Sequence, residues 1–232
     1  MAAELDQWGT VLVVAPHQDD ESLGCGGTIA LLRQANVPVH VVFVSDGSMS
    51  HPNSQKFPMG RLIELREQEA IKALALLSVN EGELSFMRLK DSMVPSKGTT
   101  GYESAVDKFS DILYTIKPQT ILVPWQRDPH QDHCAAWQIT DEAIRRVEKP
   151  VRTLEYLIWL WERAAAEELP KPGERKVWQV DISKTLDLKR EAIAAHVSQT
   201  TNLIDDDPEG FTLSTEVLNH FDRPTEIFVE QY

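Results

Sequence analysis

A chain of 232 residues with 42% hydrophobic and 25% charged side chains is long enough to bury a substantial core within one domain. Its 36 acidic against 23 basic side chains give a formal charge of -13, which excludes the broad electropositive surface that a nucleic-acid partner requires. No apolar run reaches the roughly 20 residues that span a bilayer, and Met1-Ala2-Ala3-Glu4-Leu5-Asp6 lacks the regions of a secretory signal, so a cytoplasmic protein with two reduced thiols, Cys25 and Cys134, is expected.

In chain order, Thr10 to Val14 reads as a strand, Leu23 to Gln34 as a helix, Val37 to Ser45 as a strand and Arg61 to Leu77 as a helix. Leu84 to Leu89 follows as a strand. Tyr102 to Lys117 has helical spacing, with Val106, Phe109, Ile112, Leu113 and Ile116 on one face, and Pro118 stops it before a strand at Thr120 to Val123. Alternation of helices with strands that are apolar throughout predicts an α/β fold, a mostly parallel Rossmann-like sheet with helices on both faces. Past about residue 150 the pattern loosens into an aromatic segment at Leu154 to Trp161, a charged loop around Lys171-Pro172-Gly173, and a helix from Ser183 to about Ser198. The expected organisation is a single domain over 1–232, with a core over about 8–150 and a C-terminal elaboration over about 151–232. Asp205-Asp206-Asp207-Pro208 reads as a solvated turn.

Chemistry concentrates at two strand ends. Ala15-Pro16-His17-Gln18-Asp19-Asp20-Glu21 follows the apolar Val11 to Val14 and leads into the glycine cluster Gly24-Cys25-Gly26-Gly27, read as a turn. A neutral imidazole and a carboxylate three residues apart can reach one divalent cation, which leaves the adjacent carboxylate free to handle a proton. Asp128-Pro129-His130-Gln131-Asp132-His133 follows the second apolar segment. Two histidines and one aspartate drawn from the two loops leave coordination positions open for water and substrate, as catalytic zinc sites do. In an open α/β sheet, the carboxyl ends of the strands are where a ligand belongs.

Pro16-His17-Gln18-Asp19-Asp20-Glu21 with Leu23-Gly24-Cys25-Gly26-Gly27 resembles the opening signature of the PIG-L (LmbE-like) metal-dependent deacetylases. Asp128-Pro129-His130-Gln131-Asp132-His133 resembles that family's His-Pro-Asp-His block, and Lys189 with His196-Val197-Ser198-Gln199 its late Lys and His-x-Ser-Gln segment. Gln18 and Gln131 depart from it, standing where the family commonly has Pro. The resemblance implies an N-deacetylase holding one zinc through His17, Asp20 and His133, with iron(II) or cobalt(II) accepted by the same donors. Asp19 is then the general base, and His130 stabilises the oxyanion or protonates the leaving amine, oriented and charged by Asp132. The implied substrate is small, an N-acetylated amino sugar or related conjugate.

The resemblance also points to Arg66 and Asp91 for gripping substrate hydroxyls, whereas Arg66 pairing with Glu67 or Glu69 and Asp91 turning the chain are the plainer alternatives. Asp128 stands where some sugar deacetylases of the family carry Tyr; it orients a substrate hydroxyl, adds an acidic group near the metal, or simply bends the loop. His196 and Gln199 read as supporting or packing groups, Glu21 as a loop anchor, and His40, His51 and His220 as non-ligands. Two rival functions use the same residues: an Fe(II) facial-triad oxygenase and a non-catalytic metal-dependent binding domain. A dinucleotide site is disfavoured because the glycine cluster lacks the full Gly-x-Gly-x-x-Gly spacing. Specificity is expected from the loops around 48–60, 91–101 and 162–176, and a homo-oligomer is compatible with the surface.

Overall fold

Val11–Ala15 (β1) is buried at every position, as a strand covered on both faces must be. The structure is a computed structural model that describes residues 5–231. In it, β1 pairs in parallel with Val39–Ser45 (β2) and Thr120–Pro124 (β4). Leu84–Leu89 (β3) extends the sheet beyond β2 and Arg152–Tyr156 (β5) beyond β4, again in parallel. Thr225–Gln231 (β7) then runs antiparallel to β5, and Arg175–Asp181 (β6) antiparallel to β7. The spatial order is β3-β2-β1-β4-β5-β7-β6.

Alternate residues of β1 enter two separate cores. Val11, Val13 and Ala15 pack with Asp20–Gln34 (α1), Met59–Leu76 (α2), Leu186–Ala195 (α5) and Thr215–Phe221 (α7). Leu12 and Val14 pack with Tyr102–Ile116 (α3) and Gln131–Val147 (α4). Helices therefore cover both faces, and each fully buried Val or Leu adds about 1.5–3 kcal/mol of hydrophobic stabilisation. None of the described helices is long and apolar enough to cross a membrane, and both cysteines are free thiols.

The elements depart from expectation where long-range packing overrides local signals. Helix α1 begins at Asp20, not Leu23, so the glycine cluster lies inside a helix and is not a turn. The reason is close approach: a Cβ on Gly24 would stand 2.4 Å from the Tyr156 ring, and one on Gly27 2.5 Å from Ile182. Helix α4, which carries half of the site, has no counterpart in the sequence reading; it buries Ala135, Ala136, Ile139 and Ala143. The late helix breaks at His196 and resumes as the single turn Val197–Thr200 (α6).

The order of strands reverses at β1, which has β2 on one side and β4 on the other. This switch point parts the loops after β1 and β4 and opens a crevice at the carboxyl edge, where the two histidine- and aspartate-bearing loops meet.

Candidate active site

The segment after β1 turns sharply to enter α1. Asp19 sits at φ 149°, the only left-handed non-glycine residue on this strand-end turn, and a side-chain-bearing residue held there stores on the order of 1–3 kcal/mol. His17 N donates to Asp20 Oδ2 at 2.9 Å, which folds the aspartate back over the imidazole. On the other side of the crevice, His130 caps α4: its Nδ1 accepts from Asp132 N at 3.2 Å. The first turn of α4 then delivers His133 across to Asp20, so that Asp20 Oδ2 lies 3.3 Å from both His17 Nδ1 and His133 Nε2.

His133 provides the test for a metal. It is completely buried, yet neither ring nitrogen has a hydrogen-bond partner. Asp20 and Asp128 approach its nitrogens at 3.3 and 3.4 Å but outside hydrogen-bond geometry. Buried polar atoms are rarely left this way, and an unpartnered imidazole facing carboxylates beside a second imidazole, His17, fits a divalent cation such as zinc. Among the described residues, two sets of three donors lie within 4.8 Å of one another, His17 with His130 and His133, and His17 with Asp91 and Asp132. Burial disfavours the His133 imidazolium, but the Asp20 and Asp128 carboxylates outweigh it and push its pKa up to about 9.

Asp19 lines the cavity and is 6% exposed. Burial lifts its pKa to about 6, with the neighbouring Asp20 adding to the rise and Arg66 opposing it. Arg66 projects from α2 and does not pair with Glu67 or Glu69. Its guanidinium donates to Gln18 O at 2.9 Å, to Gly47 O at 3.0 Å and to Asp19 Oδ2 at 3.5 Å. Glu67 holds Arg88 instead, and Glu69 receives both N and Oγ of Ser198. Gly47 itself has φ +65°, and a Cβ there would meet Gln18 Oε1 at 2.2 Å.

The expected pairing of His130 with the Asp132 carboxylate is not formed. Asp132 turns its oxygens to the amides of Ser92 (2.7 Å) and Val94 (3.1 Å) and to His17 Nε2 (3.2 Å). Only its backbone meets His130. Burial, helped by the nearby His17 and His133 and opposed by the Asp132 and Asp20 carboxylates, lowers the His130 pKa to about 4. Its imidazole is therefore neutral, and because Nδ1 is an acceptor the ring proton sits on Nε2.

Asp91 reaches the cavity from the loop after β3, its Oδ1 3.2 Å from His17 Nε2 and its Oδ2 accepting from Met49 N. Burial raises its pKa, and the hydrogen bond from His17 reverses this to a net fall below the usual carboxylate range. Asp128 stays out of the cavity wall. Fully buried, it accepts from His130 N and Trp159 N and so fixes the loop, the plainest of the roles expected for it. His40, His51 and His220 lie apart from the centre: His51 packs on Gly210, and His220 stacks on Trp161.

The C-terminal part supplies one wall of the cavity, in which Arg163 comes from a loop expected to set specificity, while Phe211 and Leu213 have no counterpart in the sequence reading. Trp159, Arg163, Gln199, Phe211 and Leu213 line the same cavity as His17, Asp19 and Asp20. Trp159 and Phe211 meet edge to face at 5.9 Å, and the Arg163 guanidinium stacks 4.1 Å above Trp159. Of the three loops expected to set specificity, 48–60 gives Met49 and Ser50, 91–101 gives Asp91 and Ser92, and 162–176 gives Arg163. Nor is Asp205-Asp206-Asp207 a merely solvated turn. Asp206 accepts from Ser54 Oγ, Gln55 N and Lys56 N, and Asp207 from Asn53 N, which ties the 205–213 segment to the 50–57 loop at the cavity rim.

Residues 12–144 match the PIG-L family, described as GlcNAc-PI de-N-acetylase. The chain is 31% identical over 197 residues to a probable N-acetyl-alpha-D-glucosaminyl L-malate deacetylase 2 of Bacillus subtilis (strain 168), covering 84% of this chain and 85% of that one. It is 25% identical to a 1D-myo-inositol 2-acetamido-2-deoxy-alpha-D-glucopyranoside deacetylase of Nocardia farcinica, covering 83% and 81%. The fold superposes with a TM-score of 0.70 on N,N'-diacetylchitobiose deacetylase from Pyrococcus horikoshii, at 21% identity over 96% of this chain and 84% of that one.

Proposed function

The chain belongs to the PIG-L family of metal-dependent N-deacetylases, and from that premise we propose that it is a zinc hydrolase that removes the acetyl group from an N-acetylated amino sugar or related conjugate. The observation that carries the metal is His133, buried with both ring nitrogens unpaired between two carboxylates. The amino sugar is supported by the names of the Bacillus and Nocardia relatives, a probable N-acetyl-alpha-D-glucosaminyl L-malate deacetylase and a 1D-myo-inositol 2-acetamido-2-deoxy-alpha-D-glucopyranoside deacetylase. Parallel core and C-terminal elaboration act as one catalytic domain, since both line the cavity. The oxygenase and binding-domain alternatives use the same donors but find no support in the family's activity.

Held by His17, Asp20 and His133, the cation would acidify a water and polarise the amide carbonyl. Asp19, raised toward neutrality on the cavity floor, accepts the water proton. As the carbonyl carbon becomes tetrahedral, His130 Nε2–H donates to the developing oxyanion, a role that its acceptor Nδ1 favours over that of a charged acid. The amine leaves with the proton that Asp19 took up, and acetate is released. Asp132 positions His17 and the 92–94 loop. Of the two candidates for substrate hydroxyls, Asp91 is the better placed, because the Arg66 guanidinium is engaged by the Gln18 and Gly47 carbonyls.

The test combines elemental analysis with acetate release from N-acetylglucosamine conjugates. We expect about one zinc per chain and hydrolysis that Asp19→Asn removes while zinc stays bound. A zinc-loaded protein that releases acetate from none of these compounds refutes the activity; unchanged hydrolysis by Asp19→Asn refutes the assigned base.

A further inference from the structure

Next to Asp19 lies a buried cluster whose side chains do not line the cavity. Glu21, Ser22 and His196 are at most 1% exposed, and none lines the cleft. Glu21 Oε2 accepts from Asp19 N at 3.1 Å. Its other oxygen, Oε1, accepts from Ser22 Oγ at 2.6 Å and lies 3.0 Å from His196 Nε2. The carboxylate has no Lys or Arg partner in this cluster, and a buried carboxylate and imidazole are costlier than an apolar pair of the same volume. The amide that Glu21 holds belongs to the residue at φ 149°.

We propose that Glu21 and His196 are positioning residues that keep the Asp19 peptide in its left-handed conformation and so aim the Asp19 carboxylate into the cavity. Without an acceptor, the Asp19 N–H is a buried orphan and the turn relaxes toward ordinary backbone. Arg66 holds the other end of the same peptide through Gln18 O, so Glu21 and Arg66 grip the N–H and the C=O of the one peptide group that precedes the strained residue. His196 sits at the break between α5 and α6, which Glu69 anchors through Ser198. The C-terminal elaboration thereby reaches under the first metal loop and sets the geometry of its base.

The proposal rests on the reading of Asp19 as the base, and its test separates the two. Glu21→Gln keeps an oxygen for the Asp19 amide, whereas Glu21→Ala removes it. With zinc-loaded protein and an N-acetylglucosamine conjugate, we expect Glu21→Ala to lower kcat about 100-fold with KM within about threefold and zinc retained. Glu21→Gln should stay within about tenfold of the parent. A role confined to stability would lower Tm in both variants and leave kcat intact, which overturns the proposal; so does a kcat loss matched by zinc loss. Should Glu21→Ala fail to fold, His196→Leu against His196→Gln repeats the comparison, with only the glutamine able to donate to Glu21. Crystal structures of these variants give the readout that needs no activity: Asp19 relaxes from its left-handed φ in Glu21→Ala or His196→Leu, and an unmoved Asp19 overturns the proposal even where no substrate is turned over.

Discussion

Between Val11 and Val147 the chain places every group proposed to hold the metal or handle a proton, all at or just past the carboxyl ends of parallel strands: His17, Asp19 and Asp20 after β1, His130 and His133 after β4. Between Arg152 and Gln231 it places Trp159, Arg163, Gln199, Phe211 and Leu213 in the same cavity, and none of these is an acid, a base or a plausible zinc ligand. One region fixes charges by strand register and helix caps. The other fixes apolar and hydrogen-bonding surface by loops tied to loops, as Phe211 N to Ser50 O at 2.7 Å and Leu213 N to Gln199 O at 2.7 Å show. The difference teaches that reaction chemistry and substrate fit are separable here, and it forecasts that mutations in the first region change kcat while those in the second change KM.

The harshest trial of this division is His133→Ala. The substitution removes the ligand donated across the crevice, and activity should fall more than about 10³-fold because several kcal/mol of charge stabilisation leave with the cation. Elemental analysis of the variant should find little zinc, and a variant that keeps a full equivalent would show that His133 is not a ligand. His130→Ala comes next. It should keep zinc and lose about 10²-fold in kcat, the effect of losing one oxyanion donor; a pure KM effect would move His130 to the binding side of the division.

In the second region, Trp159→Ala and Phe211→Ala open the aromatic corner where the two rings meet at 5.9 Å. Each should raise KM about fivefold to tenfold through lost apolar contact, with kcat within about threefold. Steady-state kinetics on one conjugate decides it: a kcat fall comparable to that of His130→Ala would erase the distinction between the regions. His196 is the instructive intermediate, since it belongs to the second region by sequence and acts on the first through Glu21.

The same contrast explains what could be read from the sequence. Strands β1 to β4 and helices α1 to α3 are visible because apolar periodicity and Pro118 encode them locally, and His17, Asp19, Asp20, His130 and His133 are visible because donor spacing follows from two short turns. The Phe211 and Leu213 part of the wall is not, since these residues carry no local mark and are held at the cavity by long-range ties: Asp206 and Asp207 accept from the amides of Asn53, Gln55 and Lys56, and Phe211 N and Leu213 N donate to Ser50 O and Gln199 O. Asp132 shows the limit within the motif itself: its place beside His130 is evident from sequence, but the Ser92 and Val94 amides that capture its carboxylate are about 40 residues away in the chain. Trp159 is signalled as part of an aromatic segment, without a sign that Asp128 would hold it at the cleft.

The seam between the regions runs along β5, parallel to β4 on one edge and antiparallel to β7 on the other, and it contains a carboxyl group at odds with its surroundings. Glu155 is 4% exposed, accepts from Trp137 Nε1 at 3.0 Å, and has Arg175 no nearer than 4.0 Å. Burial raises its pKa from 4.5 to about 7, beyond what Trp137 and Arg175 take back. The folded state therefore binds this proton more tightly than the unfolded chain does. Its contribution is fully present below about pH 4.5 and is lost as pH rises through about 7, a decline on the order of 3 kcal/mol. Glu155→Gln keeps the shape and cannot ionise, so its Tm relative to the parent should climb by several degrees between pH 5 and pH 8. Paired melts at the two pH values measure this, and a pH-independent difference would mean that Arg175 already neutralises Glu155 and that the two regions are joined by an ion pair instead of a neutral acid.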